Sequence, residues 1–183
     1  MPRLFTAIDL PDTVKATLSD LQTDIPRARW VKAHTMHLTL HFIGADVPED
    51  HVEPMQAALA TVQAAPFTLR ISGMGRFPPS RKKAPRVLWA AVDGGQSLLD
   101  LHAAIGAALR PTGYKPEQRL YRPHITLARM QAHKPTVEAD AFLDQYAATH
   151  FASVPVREFV LMQSVLSPQG PRYTPLKHYA LNG

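Results

Sequence analysis

RPHITLAR (residues 122–129) and MHLTLHF (residues 36–42) each place His-x-Thr-Leu in a stretch whose apolar residues alternate as in a strand. Side chains at i and i+2 of a strand share a face. His37 and Thr39 therefore point one way while Leu38 and Leu40 point into the core, and His124 and Thr126 stand in the same relation to Ile125 and Leu127. A shuffled chain of this composition carries about 0.6 His-x-Thr triplets but two such tetrads in only roughly 0.2% of shuffles, so coincidence is the poorer account.

Outward from the tetrads the elements repeat in order. RLFTAID (3–9) reads as a strand, PDTVKATLSDL (11–21) as a helix, ARWVKAHTMHLTLHFIG as the second strand region, PEDHVEPMQAALATVQ (48–63) as a helix and FTLRISGM as a strand. A loop rich in Pro and cations follows, GRFPPSRKKAPR (75–86), and the order starts again. RVLWAAVD is a strand, GQSLLDLHAAIGAALR a helix, RPHITLAR a strand, PTVEADAFLDQYA a helix and VREFVLMQSVL a strand. Asp9 ends the first strand 28 residues before His37, and Asp93 ends its counterpart 31 residues before His124. This predicts one domain over residues 1–183, with approximate repeats 3–74 and 86–167 and a C-terminal strand from SPQGPRYTPLKHYAL. A pseudo-twofold axis between the repeats would bring the two His/Thr faces to one groove.

The bulk composition limits the chemistry. A chain of 183 residues with 45% apolar content supports a globular core. No run reaches the roughly 18 apolar residues of a membrane span, and MPRLFTAIDL lacks the apolar core and cleavage site of a secretory signal. The expectation is a cytoplasmic monomer with no membrane association and no obligatory protein partner. Zero cysteines exclude disulfides, thiolate metal sites and a cysteine nucleophile, and a net charge of +5 favours an anionic partner.

Two histidines facing one ligand suit general acid and base catalysis, because an imidazole pKa near 6.5 leaves both protonation forms populated around neutral pH. One takes a proton from water and the other gives one to a leaving oxygen, while the threonine hydroxyls donate to non-bridging phosphate oxygens. This needs no metal and no cofactor, and spacing alone does not say which histidine is the acid. His34, His37 and His41 together raise a metal site, but without acidic or thiolate companions in a strand-like segment that is the weaker reading. His41 shares the face of His37 in an ideal strand, which makes it either a groove-lining residue or a solvated strand-end one. His51, His102, His133, His150 and His178 read as surface or helix-face residues.

Cations and aromatic rings complete the candidate site. Arg129 is the strongest phosphate ligand, since a guanidinium grips two oxygens at once, although simple alternation puts it opposite His124. Arg122 is the alternative, and Arg76, Arg81, Lys82, Lys83 and Arg86 form a potential rim along a nucleic acid backbone. Phe42, Phe77, Tyr121 and Tyr173 are the rings near these places that can stack on a base, with core packing the competing role for Phe42.

With these residues assembled, the chain resembles the two-histidine (2H) phosphoesterase superfamily, and within it the RNA 2′,3′-cyclic phosphodiesterases historically called 2′-5′ RNA ligases. The likeness runs through LFTAIDL, WVKAHTMHLTLHFIG, the GRFP loop with PRVLWAAV, RPHITLAR and SVLSPQGPRYTPL. It implies a bilobal α+β fold with two antiparallel-rich sheets, outer helices and a central groove. It also implies hydrolysis of an RNA 2′,3′-cyclic phosphate end, or of a cyclic nucleotide, to a 2′-phosphomonoester, with 2′-5′ ligation as a minor activity. In that family pattern His37 is the proton donor and His124 the proton acceptor, while Thr39, Thr126 and Arg129 hold phosphate oxygens. Many members carry a cation where this chain has His41, so a contact there is expected to be lost or pH-dependent. A noncatalytic RNA or nucleotide binding module using the same groove is the rival reading.

Overall fold

The computed structural model describes residues 2–168 and 170–183. In chain order it runs β1 (Arg3–Asp9), α1 (Asp12–Ser19), β2 (Ala28–Trp30), a 3-10 turn (Ala33–Thr35), β3 (His37–Gly44), α2 (Glu49–Leu59), β4 (Phe67–Phe77) and β5 (Val87–Asp93). It continues through α3 (Gly95–Leu109), a second 3-10 turn (Arg110–Thr112), β6 (His124–Met130), α4 (Val137–Gln145), β7 (His150–Val156), β8 (Glu158–Ser167) and β9 (Gly170–Ala180). Pro11 and Pro48 precede α1 and α2, and acids fill their first turns, where the helix dipole favours negative charge. Among the described residues no helix is long and apolar enough to cross a membrane.

Among the described residues, nine strands form one sheet in the order β7-β4-β5-β6-β3-β1-β8-β9, with β2 paired to β6. Every pairing is antiparallel. The two four-stranded groups expected as separate sheets are joined through a single register pair, Leu38 with Ile125. The order reads the same from either end in element type, with β6 and β3 at the junction, β5 and β1 next, β4 and β8 beyond them and β7 and β9 outermost. β4 lies beside β5 and β8 lies beside β1, so each group includes a strand from the other half of the chain.

Helices α1 to α4 cover one face of the sheet. Val14 and Leu18 of α1, Met55 and Leu59 of α2, and Leu98, Leu101 and Ile105 of α3 pack with Leu4, Ile8, Leu38, Leu40, Ile125 and Leu127 in the main core. Phe142 and Leu143 of α4 join Leu88, Ala128 and Met130 in a second cluster on the same side. The opposite face carries only a small apolar group, Phe5, Ala7, Val160 and Met162 with Tyr173 against it. That uncovered face is where polar side chains of the strands are available to a ligand.

Two elements depart from the sequence reading. β4 runs on through Phe77, so the first residues of the expected loop are strand and carry the Phe77 ring inward. HFASVPV forms β7, a strand absent from the sequence reading, although Pro155 lies within it. The sheet tolerates that proline because β7 is an edge strand, where one missing N–H costs no ladder bond on the open side.

Candidate active site

The register at the junction builds the site. Leu38 and Ile125 are fully buried and opposed. One step along each strand sets His37 across from Thr126 and His124 across from Thr39, all on the face away from the helices. Opposed Cβ atoms in such a pair lie about 4.5–5.5 Å apart and diagonal ones about 7–8 Å. The imidazoles therefore occupy one diagonal of a small square and the hydroxyls the other, a spacing that admits one phosphate.

Both rings are oriented by the same device. Nδ1–H of His37 donates to the Thr35 carbonyl at 2.8 Å, and Nδ1–H of His124 donates to the Arg122 carbonyl at 2.7 Å. A carbonyl can only accept, so Nδ1 carries the proton in each ring and Nε2 is left for chemistry. The 3-10 turn ending at Thr35 supplies the first carbonyl, and Arg122, restricted to extended conformations by the following Pro123, supplies the second. In the free site Nε2 of His37 accepts from the Thr39 hydroxyl at 3.0 Å.

Aromatic walls hold the rings in place. His37 lies 4.9 Å from Phe5 and 5.1 Å, edge-on, from Tyr173, while His124 lies 5.0 Å, edge-on, from Phe77 and 6.1 Å from Trp89. Phe5 and Trp89 stand at matching positions, each four residues before the aspartate that ends its strand. Gly75 is required beneath Trp89, because a Cβ there would come within 2.2 Å of the indole ring. Burial holds His37 below the ordinary histidine range. The Thr35 carbonyl and Asp9 push its pKa up, and the Lys15 ammonium and His124 push it down. Asp9 is paired across the ladder with His37, and its carboxylate accepts from Lys15 at 2.7 Å.

A β-bulge in each tetrad strand decides what else reaches the groove. On β6 the register passes from Trp89–Thr126 to Leu88–Ala128, so Leu127 is an extra residue, and both Leu127 and Ala128 turn to the core. Arg129 is thereby returned to the exposed, His124-bearing side, which simple alternation would have denied it. Its guanidinium acts on Tyr173, whose pKa is raised by burial and lowered by Arg129 and Arg3, so residues of β6, β9 and β1 converge there.

The same bulge on β3 overturns the expectation for His41. Thr6 pairs with His41 and Ala7 with Thr39, leaving Leu40 extra, and His41 turns into the core at 5% exposure. The buried Thr6 hydroxyl accepts the His41 backbone N–H at 3.1 Å. The ring sits in a socket under α3. Nε2–H donates to the His102 carbonyl at 2.7 Å, the Tyr114 hydroxyl donates to Nδ1 at 3.0 Å, and His102 stacks on it at 4.0 Å. His102 is accordingly no surface residue, lying between His41 and Tyr121. Phe42, not His41, emerges on the groove side, 37% exposed, with the Arg3 guanidinium 4.8 Å above its ring.

The cationic loop is only partly a rim. Arg76 is 4% exposed and donates to Asp140 at 3.0 Å and to the Pro78 and Lys83 carbonyls, pinning the loop to α4, so it is withdrawn from any ligand. Arg81 is bound by Asp144, while Lys82, Lys83 and Arg86 are exposed. Sequence reasoning missed Phe5, Trp89, Lys15 and Arg3. The common offset of Phe5 and Trp89 from Asp9 and Asp93 was the one available signal.

One sheet face thus carries both imidazoles, both threonine hydroxyls and Arg129, and residues 10–167 match the 2′-5′ RNA ligase superfamily, to which the chain belongs. It is 36% identical over 99% of its length to the RNA 2′,3′-cyclic phosphodiesterase of Thermus thermophilus, spanning 91% of that protein, and 30% identical over 96% of its length to that of Archaeoglobus fulgidus, spanning 98%. The crystal structure of E. coli LigT complexed with 3′-AMP superposes with a TM-score of 0.79 at 27% identity, covering all of both chains.

Proposed function

We propose that this protein hydrolyses the 2′,3′-cyclic phosphate at RNA ends, opening the ring to leave a 2′-phosphomonoester. The observation that carries the reading is the pair of imidazoles on one sheet face, each with Nδ1–H spent on a backbone carbonyl so that Nε2 is the working atom. The names of the relatives from T. thermophilus and A. fulgidus point to the same substrate class.

In this reading water lies on the His124 side of the phosphorus and O3′ on the His37 side. His124 Nε2 takes a proton as the water oxygen forms its bond to phosphorus. The P–O3′ bond breaks, and protonated His37 gives its Nε2 proton to O3′. Thr39 and Thr126 donate to the non-bridging oxygens, the Thr39 hydroxyl turning from His37 to the ligand, and Arg129 grips the same oxygens in a fork. Phe42, Phe77 and Tyr173 flank the nucleoside. Burial disfavours the protonated His37 ring, and the arriving phosphate charge offsets that by favouring it. A 5′-hydroxyl replacing water would form a 2′–5′ phosphodiester by the same steps, the minor ligation branch.

The test is incubation with an RNA ending in a 2′,3′-cyclic phosphate in the presence of EDTA. Conversion to a 2′-phosphate end supports the reading. Salt-sensitive binding with no product would instead identify a noncatalytic RNA-binding groove.

A further inference from the structure

β2 is three residues long and lies against the end of β6 beyond the junction, where β3 has not yet begun. Its register sets Ala28 across from Met130, Trp30 across from Ala128 and, between them, Arg29 across from Arg129. Trp30 packs on the helix side against Phe142, 5.4 Å between ring centres, so Arg29 faces the other way, onto the side that carries Arg129 and His124. Both arginines are exposed. Like charges directly opposed on an antiparallel pair repel. The repulsion is unrelieved from within, because among the described residues neither guanidinium has a carboxylate partner. The contrast with Arg76 and Arg81 is direct, since Asp140 and Asp144 hold those two.

A pair of opposed, uncompensated guanidiniums at one end of a phosphate site is stabilised by an external anion of more than one charge centre. We infer that Arg29 binds the phosphodiester on the 5′ side of the terminal nucleotide while Arg129 holds the cyclic phosphate, so that the groove selects an RNA strand over a cyclic mononucleotide. This rests on the function proposed above and adds the direction in which the strand leaves the groove, over β2. Arg29 is a substrate-positioning residue in this account and touches no reacting atom.

The experiment compares kcat/KM for a nucleoside 2′,3′-cyclic phosphate with that for a short oligoribonucleotide ending in the same cyclic nucleotide, using the wild type, Arg29→Gln and Arg29→Lys. The wild type is expected to favour the oligonucleotide. Arg29→Gln should reduce the oligonucleotide-to-mononucleotide ratio about tenfold, the worth of one charge-assisted phosphate contact, with Arg29→Lys in between. The dependence of oligonucleotide KM on salt should flatten by about 0.7 in log–log slope, as expected when one phosphate contact to a single strand is lost. An unchanged ratio and slope in Arg29→Gln, or equal losses on both substrates, would overturn the inference while leaving the activity standing. Absence of turnover by the wild type on either substrate would overturn the proposed function, and the inference with it.

Discussion

At the scale of the residue, the two imidazoles proposed to work differ from the structural one in what their nitrogens meet. His37 and His124 spend Nδ1 on a backbone carbonyl, and Nε2 of His37 meets only the rotatable Thr39 hydroxyl, whereas both nitrogens of His41 are held in a buried socket by Tyr114 and the His102 carbonyl. Replacing His37 or His124 by Ala is expected to lower kcat by roughly 10²–10⁴, the usual cost of losing a general acid or base, measured with a cyclic-phosphate RNA. The Asp9–Lys15 pair gives a second prediction. Lys15 and His124 press the His37 pKa down and Asp9 presses it up, so Lys15→Met removes one of the two depressing charges and the pKa rises. The pH optimum of kcat/KM should then move up, and Asp9→Asn should move it down; a profile unmoved by either would separate the pair from His37. The tetrads and Arg129 were legible in the sequence because residue type and spacing carry them. The carbonyls that fix the tautomers were not, since Thr35 and Arg122 act through backbone that any residue could supply.

At the scale of the element, the paired bulges do what alternation forbids. An extra residue at Leu127 lets Arg129 rejoin the His124 face, and one at Leu40 sends His41 inward and Phe42 outward. A one-residue offset of this kind reverses every later side chain, which is why reading β3 as an ideal strand misplaced His41. His41→Leu should therefore act on stability, leaving the Tyr114 hydroxyl and the His102 carbonyl without their partner at about 1–3 kcal/mol per group. Urea unfolding would register the loss while kcat stays within a few fold of wild type, and a large fall in kcat with unchanged stability would return His41 to the groove. Arg129→Ala should cost about 10–100-fold in kcat/KM, from loss of a charged hydrogen-bonded contact.

At the scale of the whole molecule, one continuous sheet takes helices on one face and leaves the other uncovered. The repeated β, α, β, α, β order was readable because helices and strands announce themselves by period. The exchange of β4 and β8 between groups was not, because nothing local in FTLRISGM or VREFVLMQSVL names its neighbour. The buried histidines also set an acid limit. Burial and the neighbouring His41 lower the His102 pKa to about 4, and burial lowers that of His41, while the unfolded chain binds these protons near 6.5. The unfolded state therefore carries more protons between these values, so stability is fully present above about pH 6.5 and declines as pH falls toward 4. Urea midpoints at a series of pH values should show that slope, and His102→Gln should reduce it.

The whole account turns on two imidazoles serving one phosphorus centre. The most direct measurement follows an RNA ending in a 2′,3′-cyclic phosphate, with EDTA present, through hydrolysis by the wild type, His37→Ala, His124→Ala and the double variant. The prediction is a 2′-phosphate product from the wild type, a large loss in each single variant, and little further loss in the double, as for groups that act as a unit. Full turnover by either single variant, or a 3′-phosphate product, would contradict it.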